Sequence, residues 1–196
     1  LKIGCAVLDV GGESTRPGAK EVSSTIEIER IIGVIKKIKN SVPSAVISVD
    51  TRKSMVAEKA LEAGASMVND ISAGSFDKEM FEVVAKHKAG ICLMHSQGLP
   101  ENMQKKPHYE EILLDLYDYF EEKIAEAQSK GIPREKIVID PGIGFGKKLH
   151  HNLEIISKIS LFLGLGLPVM VGISRKSFIG EIISEREPSE RLIGSV

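Results

Sequence analysis

Short apolar runs alternate with longer amphipathic segments along the chain. The run Ala45–Val49 is short, rich in β-branched residues and apolar on both faces, which is typical of a buried parallel strand. Between Ile28 and Ile38, by contrast, isoleucines recur at the three- and four-residue spacing of a helix. The same criterion predicts helices over residues 24–40, 52–63, 77–88, 108–130 and 151–163, and from 177 onward.

The order of these segments predicts an α/β fold. A helical segment follows an apolar run six times, and such crossovers give a parallel sheet with helices outside. No Pro-rich or Ser-rich linker divides the chain, so residues 1–196 are expected to form a single domain. Periodicity alone does not separate a closed barrel from an open doubly wound sheet. Polar residues at every strand end favour the barrel, whose ligands contact all the loops that follow the strands.

Each apolar run closes on a polar residue. The residues at the six run ends are Asp9, Asp50, Asn69 with Asp70, His95, Asp140 and Ser174. Because the carboxyl ends of parallel strands share one rim, we expect these side chains to lie on one side of the protein. That rim is where α/β enzymes place their chemistry.

The composition and charge are those of an ordinary soluble globular domain. A composition of 42% hydrophobic and 27% charged residues is ordinary, and the net charge of -1 argues against a nucleic-acid surface. Nothing in the sequence suggests a membrane span. Cys5 and Cys92 lie in apolar runs, which predicts two buried thiols and fits a cytoplasmic location. No signal peptide is visible, but the chain starts at Leu1 without a methionine, so a leader could be missing.

The segment Asp140–Lys147 combines a carboxylate with a glycine-rich turn. Glycines at 142, 144 and 146 allow backbone to approach a ligand closely. A phosphate loop would need Gly in place of Pro141 and Ser or Thr in place of Lys148, and the dinucleotide pattern is also unmet. Asp140 could cap a helix, but the next predicted helix begins at residue 151. We therefore expect Asp140 to contact a ligand; a carboxylate at this position could accept two parallel hydrogen bonds, for example from an amino-pyrimidinone edge.

A second motif, Gly172–Ser177, joins a strand end to a helix start. Exposed N–H groups at that start can hold a carboxylate or phosphate. Lys176 could be an ordinary surface lysine, but its position between Ser174 and the apolar Phe178 favours a ligand contact. The adjacent Arg175 is expected to support the loop.

Two further strand ends carry candidate ligand residues. Asp50 could simply cap the following helix, but the polar residues Asn69 and Asp140 at equivalent strand ends favour a binding role. The segment Glu13–Gly18 fixes Arg16 ahead of a proline, so its guanidinium can point at phosphate; a solvated loop is the alternative.

The remaining polar residues at strand ends are expected to be structural. Asp70 is interpreted as a cap or structural partner and His95 as structural rather than catalytic, while Cys92 fits a ligand wall or the core almost equally well. No His-Glu-x-x-His or paired-cysteine spacing occurs, so the sequence assigns no metal ligand.

Together these motifs resemble the dihydropteroate synthases of the pterin-binding enzyme family. The resemblance implies a TIM (β/α)8-type barrel, a fold of typically about 250 residues. The chain is therefore expected to be an incomplete barrel of about six βα units, with the first and last strands missing. It would be a transferase of folate biosynthesis that condenses 6-hydroxymethyl-7,8-dihydropterin diphosphate with p-aminobenzoate, and sulfonamides would inhibit it.

The resemblance also implies residue roles. Lys176, Arg16 and Thr15 would be catalytic. The substrates would contact Thr15, Asp50, Asn69, Ile71, Met94, Asp140, Phe145, Gly172, Ser174 and Lys176. A homodimer is implied, and so is Mg²⁺, with its ligand in the missing first loop rather than in this chain.

Two alternatives remain at this stage. A methyltetrahydrofolate-dependent methyltransferase shares the pterin barrel, but its pattern does not call for Glu-Ser-Thr-Arg-Pro-Gly or Ser-Arg-Lys-Ser. A non-catalytic pterin-binding paralogue, or a fragment too incomplete to work, is the other. An intact first loop and a terminal Arg-x-His in the flanking sequence would indicate an enzyme.

Overall fold

Five parallel strands form one sheet in the computed structural model, which describes residues 5–16, 18–98, 107–184 and 187–195. The strands are β1 (Val7–Gly11), β2 (Val46–Asp50), β3 (Met67–Asp70), β4 (Gly90–Met94) and β5 (Ile137–Asp140). Each strand pairs with the next along the chain, so their order in the sheet is their order in sequence. A doubly wound sheet would reverse that order at a switch point, whereas a barrel keeps it. The sheet is therefore an arc of a (β/α)8-type barrel.

Every predicted helix is present, although most are shorter than predicted. They are α1 (Ser24–Ser41), α2 (Ser54–Glu62), α3 (Met80–Lys86), α4 (Ile112–Ser129), α5 (Leu149–Ser157) and α6 (Ser177–Ile183). The segment predicted as one helix over 151–163 is α5 followed by a 3-10 helix, Ile159–Leu165, which ends at Gly166 with φ 68°. Further 3-10 helices are Arg134–Lys136, Pro188–Arg191 and Ile193–Ser195. Among the described residues, no helix is both long enough and apolar enough to cross a membrane.

The sixth predicted strand is reduced to a single bridge between Val169 and Ile139. The Ile139 N–H donates to the Pro168 carbonyl over 3.1 Å, and the Met170 N–H donates to the Ile139 carbonyl over 2.8 Å. Pairing does not extend toward the amino end because Pro168 has no N–H to donate. The prediction of six full strands is therefore wrong by one, although the sixth βα unit is present.

The core lies between the outer face of the sheet and the helices. Strand residues Ile47, Val49, Val68, Ile91 and Leu93 are fully buried there. Helices α1 and α4 cover them with Ile31, Ile35, Leu116 and Phe120. Because side chains alternate along a strand, the residues between these apolar positions point to the other face of the sheet.

One of the two cysteine predictions is wrong. Cys92 is buried in β4, but Cys5 is exposed, and both thiols are free. Cys5 comes just before β1, whose side chains are exposed or half-buried because this strand lies at one end of the sheet order.

Phe120 gives a test of this packing. Its fully buried ring meets Phe162 at 6.0 Å between centroids, so Phe120→Ala leaves a cavity in the core. We expect this change to lower the free energy of unfolding by about 3–5 kcal/mol in urea denaturation. Leu114→Ala, on the exposed side of the same helix, should change it by less than about 0.5 kcal/mol. Equal losses in the two variants would show that α4 packs through a different face.

Candidate active site

Strand register brings several predicted site residues onto the inner face of the sheet. Asp50 in β2 pairs with Asn69 in β3, and Asn69 pairs with Cys92 in β4. Met94 lies two residues nearer the carboxyl rim than Cys92 and pairs with Asp140 in β5. Alternation places all five on the same face, opposite to the buried apolar positions. The face therefore combines two carboxylates and an amide with two soft apolar side chains.

Asp50 and Asn69 each keep an unpaired acceptor. The Asn69 Nδ2 donates to Asp9 Oδ2 over 3.1 Å, but the Asn69 Oδ1 and the Asp50 Oδ1 are buried with no hydrogen-bond partner among the described residues. The alternative that Asp50 caps α2 is not seen, because the N–H of Ser54 donates to Asp77 Oδ2 instead, over 2.7 Å. Buried acceptors without donors are costly, and ligand donors would relieve that cost.

The electrostatic environment of Asp50 is strongly acidic. Burial, with the nearby carboxylates of Asp9, Glu27, Asp70 and Glu13, raises the pKa of Asp50 to about 7. A neutral or half-ionised Asp50 can therefore exist near physiological pH in the unliganded protein.

Asp70 has a structural position despite following Asn69 directly. It points to the helix face, where its carboxylate accepts from the Ser72 N–H over 2.8 Å and from the Gly74 N–H over 2.7 Å. These bonds close the turn after β3.

Asp140 sits at the start of the glycine-rich turn. Its Oδ1 accepts from the Gly142 N–H over 2.8 Å. Burial raises the pKa of Asp140, while that hydrogen bond and the cations Lys176 and Lys147 oppose the shift. Gly142 has φ 68°, and a Cβ there would lie 1.9 Å from the His95 carbonyl oxygen, so only glycine fits.

Lys176 lies against the same turn. Its Nζ is 4.7 Å from the centroid of the Phe145 ring and donates to the Ile143 carbonyl. A Cβ on Gly144 would lie 3.2 Å from Lys176 Cδ, so the turn passes directly over the lysine stem. Burial lowers the pKa of Lys176, and Asp140 opposes the shift.

The loop that precedes Lys176 is fixed by the last described segment. The Arg175 N–H donates to Ser195 Oγ over 2.8 Å, and its carbonyl accepts from Arg191 over 3.1 Å. Arg175 thus supports the loop through its backbone, while Ser174 is exposed and Gly172 half-buried.

The loop between β1 and α1 that carries Arg16, which we call the arginine loop, makes the fewest described contacts with the rest of the predicted site. Thr15 is half-buried and Arg16 exposed, and the neighbouring Pro17 is outside the described residues. The Ala19 N–H donates to the Arg16 carbonyl over 3.0 Å and closes a turn. No contact described for Arg16 joins it to the carboxylates of the inner face.

Sequence reasoning missed the role of Lys147. Its Nζ is fully buried below the turn, 2.9 Å from His95 Nδ1 and 3.0 Å from the Phe145 carbonyl oxygen. Burial lowers the pKa of Lys147 to about 7, and Asp140 opposes the shift. His95 itself is packed edge-on against Tyr119. Lys147 ends a recognisable motif, but nothing in the motif indicates that its amine points inward.

Two residues predicted to form the apolar walls of the site are buried. Ile71 and Met94 are 6% and 3% exposed. A cavity of about 390 Å³ adjoins the loops after β2, β3 and β4, and it shares Ile71 with the predicted set. Among the described residues, no group of three or more His, Cys, Asp or Glu side chains is arranged to hold a metal ion.

Comparison with known proteins gives a consistent result. The family described as "Pterin binding enzyme" matches residues 1–196. Dihydropteroate synthase of Synechocystis is 42% identical over 98% of this chain and 66% of its own length, and that of Escherichia coli K12 is 42% identical over 100% and 68%. The chain thus spans about two thirds of the length of these curated relatives.

Solved structures agree with the sequence relatives. A dihydropteroate synthase from Clostridium difficile, crystallised with pteroic acid, superposes with a TM-score of 0.92 at 42% identity, covering 99% of this chain and 71% of that one. The Yersinia pestis enzyme in a sulfonamide complex gives a TM-score of 0.94 at 38% identity, covering 98% and 69%.

The pKa of Asp50 yields a test of the site's electrostatics. Because the folded-state pKa of about 7 exceeds the ordinary 3.8, the folded protein binds this proton more tightly, and stability falls as pH rises from about 4 to about 7. Asp50→Asn stays neutral, so it should raise the free energy of unfolding at pH 8 by at least about 1 kcal/mol. The difference from the unaltered protein should fade near pH 4.

Urea denaturation at both pH values measures this effect. Asp118→Asn, an exposed change on α4, should alter stability little at either pH. An Asp50→Asn variant that is less stable at pH 8 would mean that Asp50 is ionised and well solvated in the fold.

Proposed function

The chain belongs to the pterin-binding enzyme family, and we propose that the complete protein is a dihydropteroate synthase. In this reaction the exocyclic C–O bond of 6-hydroxymethyl-7,8-dihydropterin diphosphate breaks and diphosphate leaves. A C–N bond forms to the amine of p-aminobenzoate, and that nitrogen loses a proton. The product is 7,8-dihydropteroate. The electron-rich ring stabilises positive charge on the reacting carbon, so the protein mainly has to bind and align its substrates.

The observation that carries the proposal is the pair of buried, unpaired oxygens on Asp50 and Asn69. A pterin ring offers N–H and NH₂ donors along one edge. Asp140 lies on the same face by register and adds a second carboxylate. We assign the pterin ring to these three residues, with Cys92 and Met94 as its apolar floor and Ile71 as a wall.

The residues near the reacting carbon, p-aminobenzoate and the diphosphate are assigned to the loops. Lys176, beside Asp140 and Phe145, would contact the pterin ring and keep its charge close to the reacting carbon. Phe145, Gly172 and Ser174 would receive p-aminobenzoate. Thr15 and Arg16 would bind the departing diphosphate, which requires the loop after β1 to close over the substrate.

Mg²⁺ enters the proposal only for the complete protein. The ion would neutralise charge on the diphosphate, and its ligand is expected in the first loop of the complete protein, so no step is assigned to it. The methyltransferase alternative is not favoured, since the relatives quoted above are dihydropteroate synthases.

We also propose that the complete protein is a cytoplasmic homodimer. Free thiols at Cys5 and Cys92 are compatible with a reducing compartment. Exposed apolar side chains, Ile182 in α6 with Leu192 and Ile193 in the last described segment, would suit a subunit contact.

Asp140→Ala tests the pterin assignment. Removing this acceptor leaves a ring donor unpaired in a desolvated site, so binding of the pterin should weaken by about 1–3 kcal/mol. Calorimetry on the complete protein measures the loss. Glu135→Ala, an exposed change just before β5, serves as the control and should leave pterin affinity unchanged.

Turnover provides the second arm of the same test. The complete protein should form dihydropteroate, with sulfonamide inhibition competitive against p-aminobenzoate. Unaltered pterin affinity in Asp140→Ala would remove Asp140 from the site. Absence of dihydropteroate formation by the unaltered complete protein would contradict the proposed activity itself.

A further inference from the structure

Four charged side chains form a buried cluster between the loop after β1 and the start of α2. Lys53 Nζ lies 2.6 Å from Glu13 Oε2 and 2.8 Å from Glu27 Oε2, and Arg52 Nη2 lies 3.1 Å from Glu13 Oε1. Each of the four side chains is at most 8% exposed. We call Glu13, Glu27, Arg52 and Lys53 the loop anchor.

The loop anchor also holds the two ends of the arginine loop together. Glu13 Oε2 accepts from the Val22 N–H over 2.7 Å, and Lys53 Nζ donates to the Val22 carbonyl over 2.5 Å. The loop that carries Thr15 and Arg16 therefore has both of its ends fixed at the loop anchor.

Below the base of this loop, the chain is tightly packed against α1. Arg30 donates to the Gly12 carbonyl over 2.8 Å. A Cβ on Gly12 would lie 2.8 Å from the Glu27 carbonyl oxygen, so no larger residue fits between the loop and the helix. The base of the loop thus has one position, set by α1 on one side and by Lys53 on the other.

The charges in the loop anchor depend on one another. Burial alone would raise the pKa of Glu13, but Lys53, the Val22 N–H and Arg52 outweigh burial and lower it. The pKa of Lys53 is raised for the matching reason, since Glu13 and Glu27 outweigh its burial. Removing one partner from such a cluster leaves an uncompensated charge inside the protein.

The sequence position of the loop anchor connects it to the site. Arg52 and Lys53 follow Asp50 by two and three residues, on the same short link between β2 and α2. The backbone that presents Asp50 to the inner face thus also carries the cations that hold Glu13.

We propose that the loop anchor is a positioning device that orients Thr15 and Arg16 toward the diphosphate of a pterin bound at Asp50. The inference rests on the proposed function and extends it to four residues to which that proposal assigns no substrate contact. The pterin ring is assigned to Asp50, Asn69 and Asp140, and not to the loop anchor. Loss of the loop anchor therefore weakens binding of the diphosphate group and spares binding of the pterin ring.

Lys53→Met, made in the complete protein, tests this proposal. It keeps the length of the side chain and removes its charge. We expect the affinity for 6-hydroxymethyl-dihydropterin diphosphate to fall by about tenfold or more, since small misplacements of binding groups have effects of that size. The affinity for 6-hydroxymethyl-dihydropterin, which lacks the diphosphate, should change by less than about twofold. Lys59→Met, which breaks the exposed pair with Glu62, is the matched control and should change neither affinity.

Hydrogen exchange and a second variant separate positioning from general damage. In Lys53→Met the amides of residues 12–22 should exchange faster, and those of β2 should not. If Lys53→Met fails to fold, Glu13→Gln takes its place in the test. This variant keeps the shape of the side chain and should show the same selective loss of affinity for the diphosphate. Lys53→Arg, which keeps the charge, should restore part of that affinity.

The outcomes are distinct. Equal weakening of both pterins, or no weakening of either, overturns the positioning role. If the unaltered complete protein binds neither pterin, the proposed function has failed. Hydrogen exchange then decides alone: unchanged exchange in residues 12–22 overturns the loop anchor, and selective acceleration supports it.

Discussion

The register of the parallel strands is the constraint on which the site depends. Asp50, Asn69 and Cys92 share one row because β2, β3 and β4 pair at these residues. Side chains alternate with a period of two, so a one-residue slip of β2 would turn Asp50 into the core and Val49 out of it. Burial of Ile47 and Val49 under the helices prevents that slip. The apolar core therefore determines where the polar site lies.

The site is assembled at a cost in stability. Asp50 and Asn69 bury oxygens without donors, and Lys147 buries an amine whose pKa falls to about 7. Each of these groups has a lower free energy in water, so the packing of the surrounding core has to offset the cost of burying it. Under the proposed function, a bound pterin would supply the missing donors without rearranging the acceptors.

Local patterns predicted much of this structure, and contacts between distant residues were beyond them. The helices and the strand-end residues follow from periodicity within a few residues of sequence. The sixth strand was overestimated because the run around Val169 has the composition of a strand. It forms a single bridge, next to a proline that has no N–H. The loop anchor joins Glu13 to Lys53 across 40 residues and Glu27 to Lys53 across 26, a separation that no local pattern encodes. Lys147 was recognised as part of a motif, but its inward direction depends on His95, which follows β4 and is 52 residues away in sequence.

The central claim is that one pterin is bound by residues at the carboxyl ends of β2, β3 and β5. A crystal structure of the complete protein with 6-hydroxymethyl-dihydropterin diphosphate tests it most directly. The account predicts hydrogen bonds from ring donors to the carboxylates of Asp50 and Asp140 and to the Asn69 Oδ1, with Lys176 against the ring. A pterin bound elsewhere, or one that leaves the buried oxygens of Asp50 and Asn69 unpaired, would contradict it.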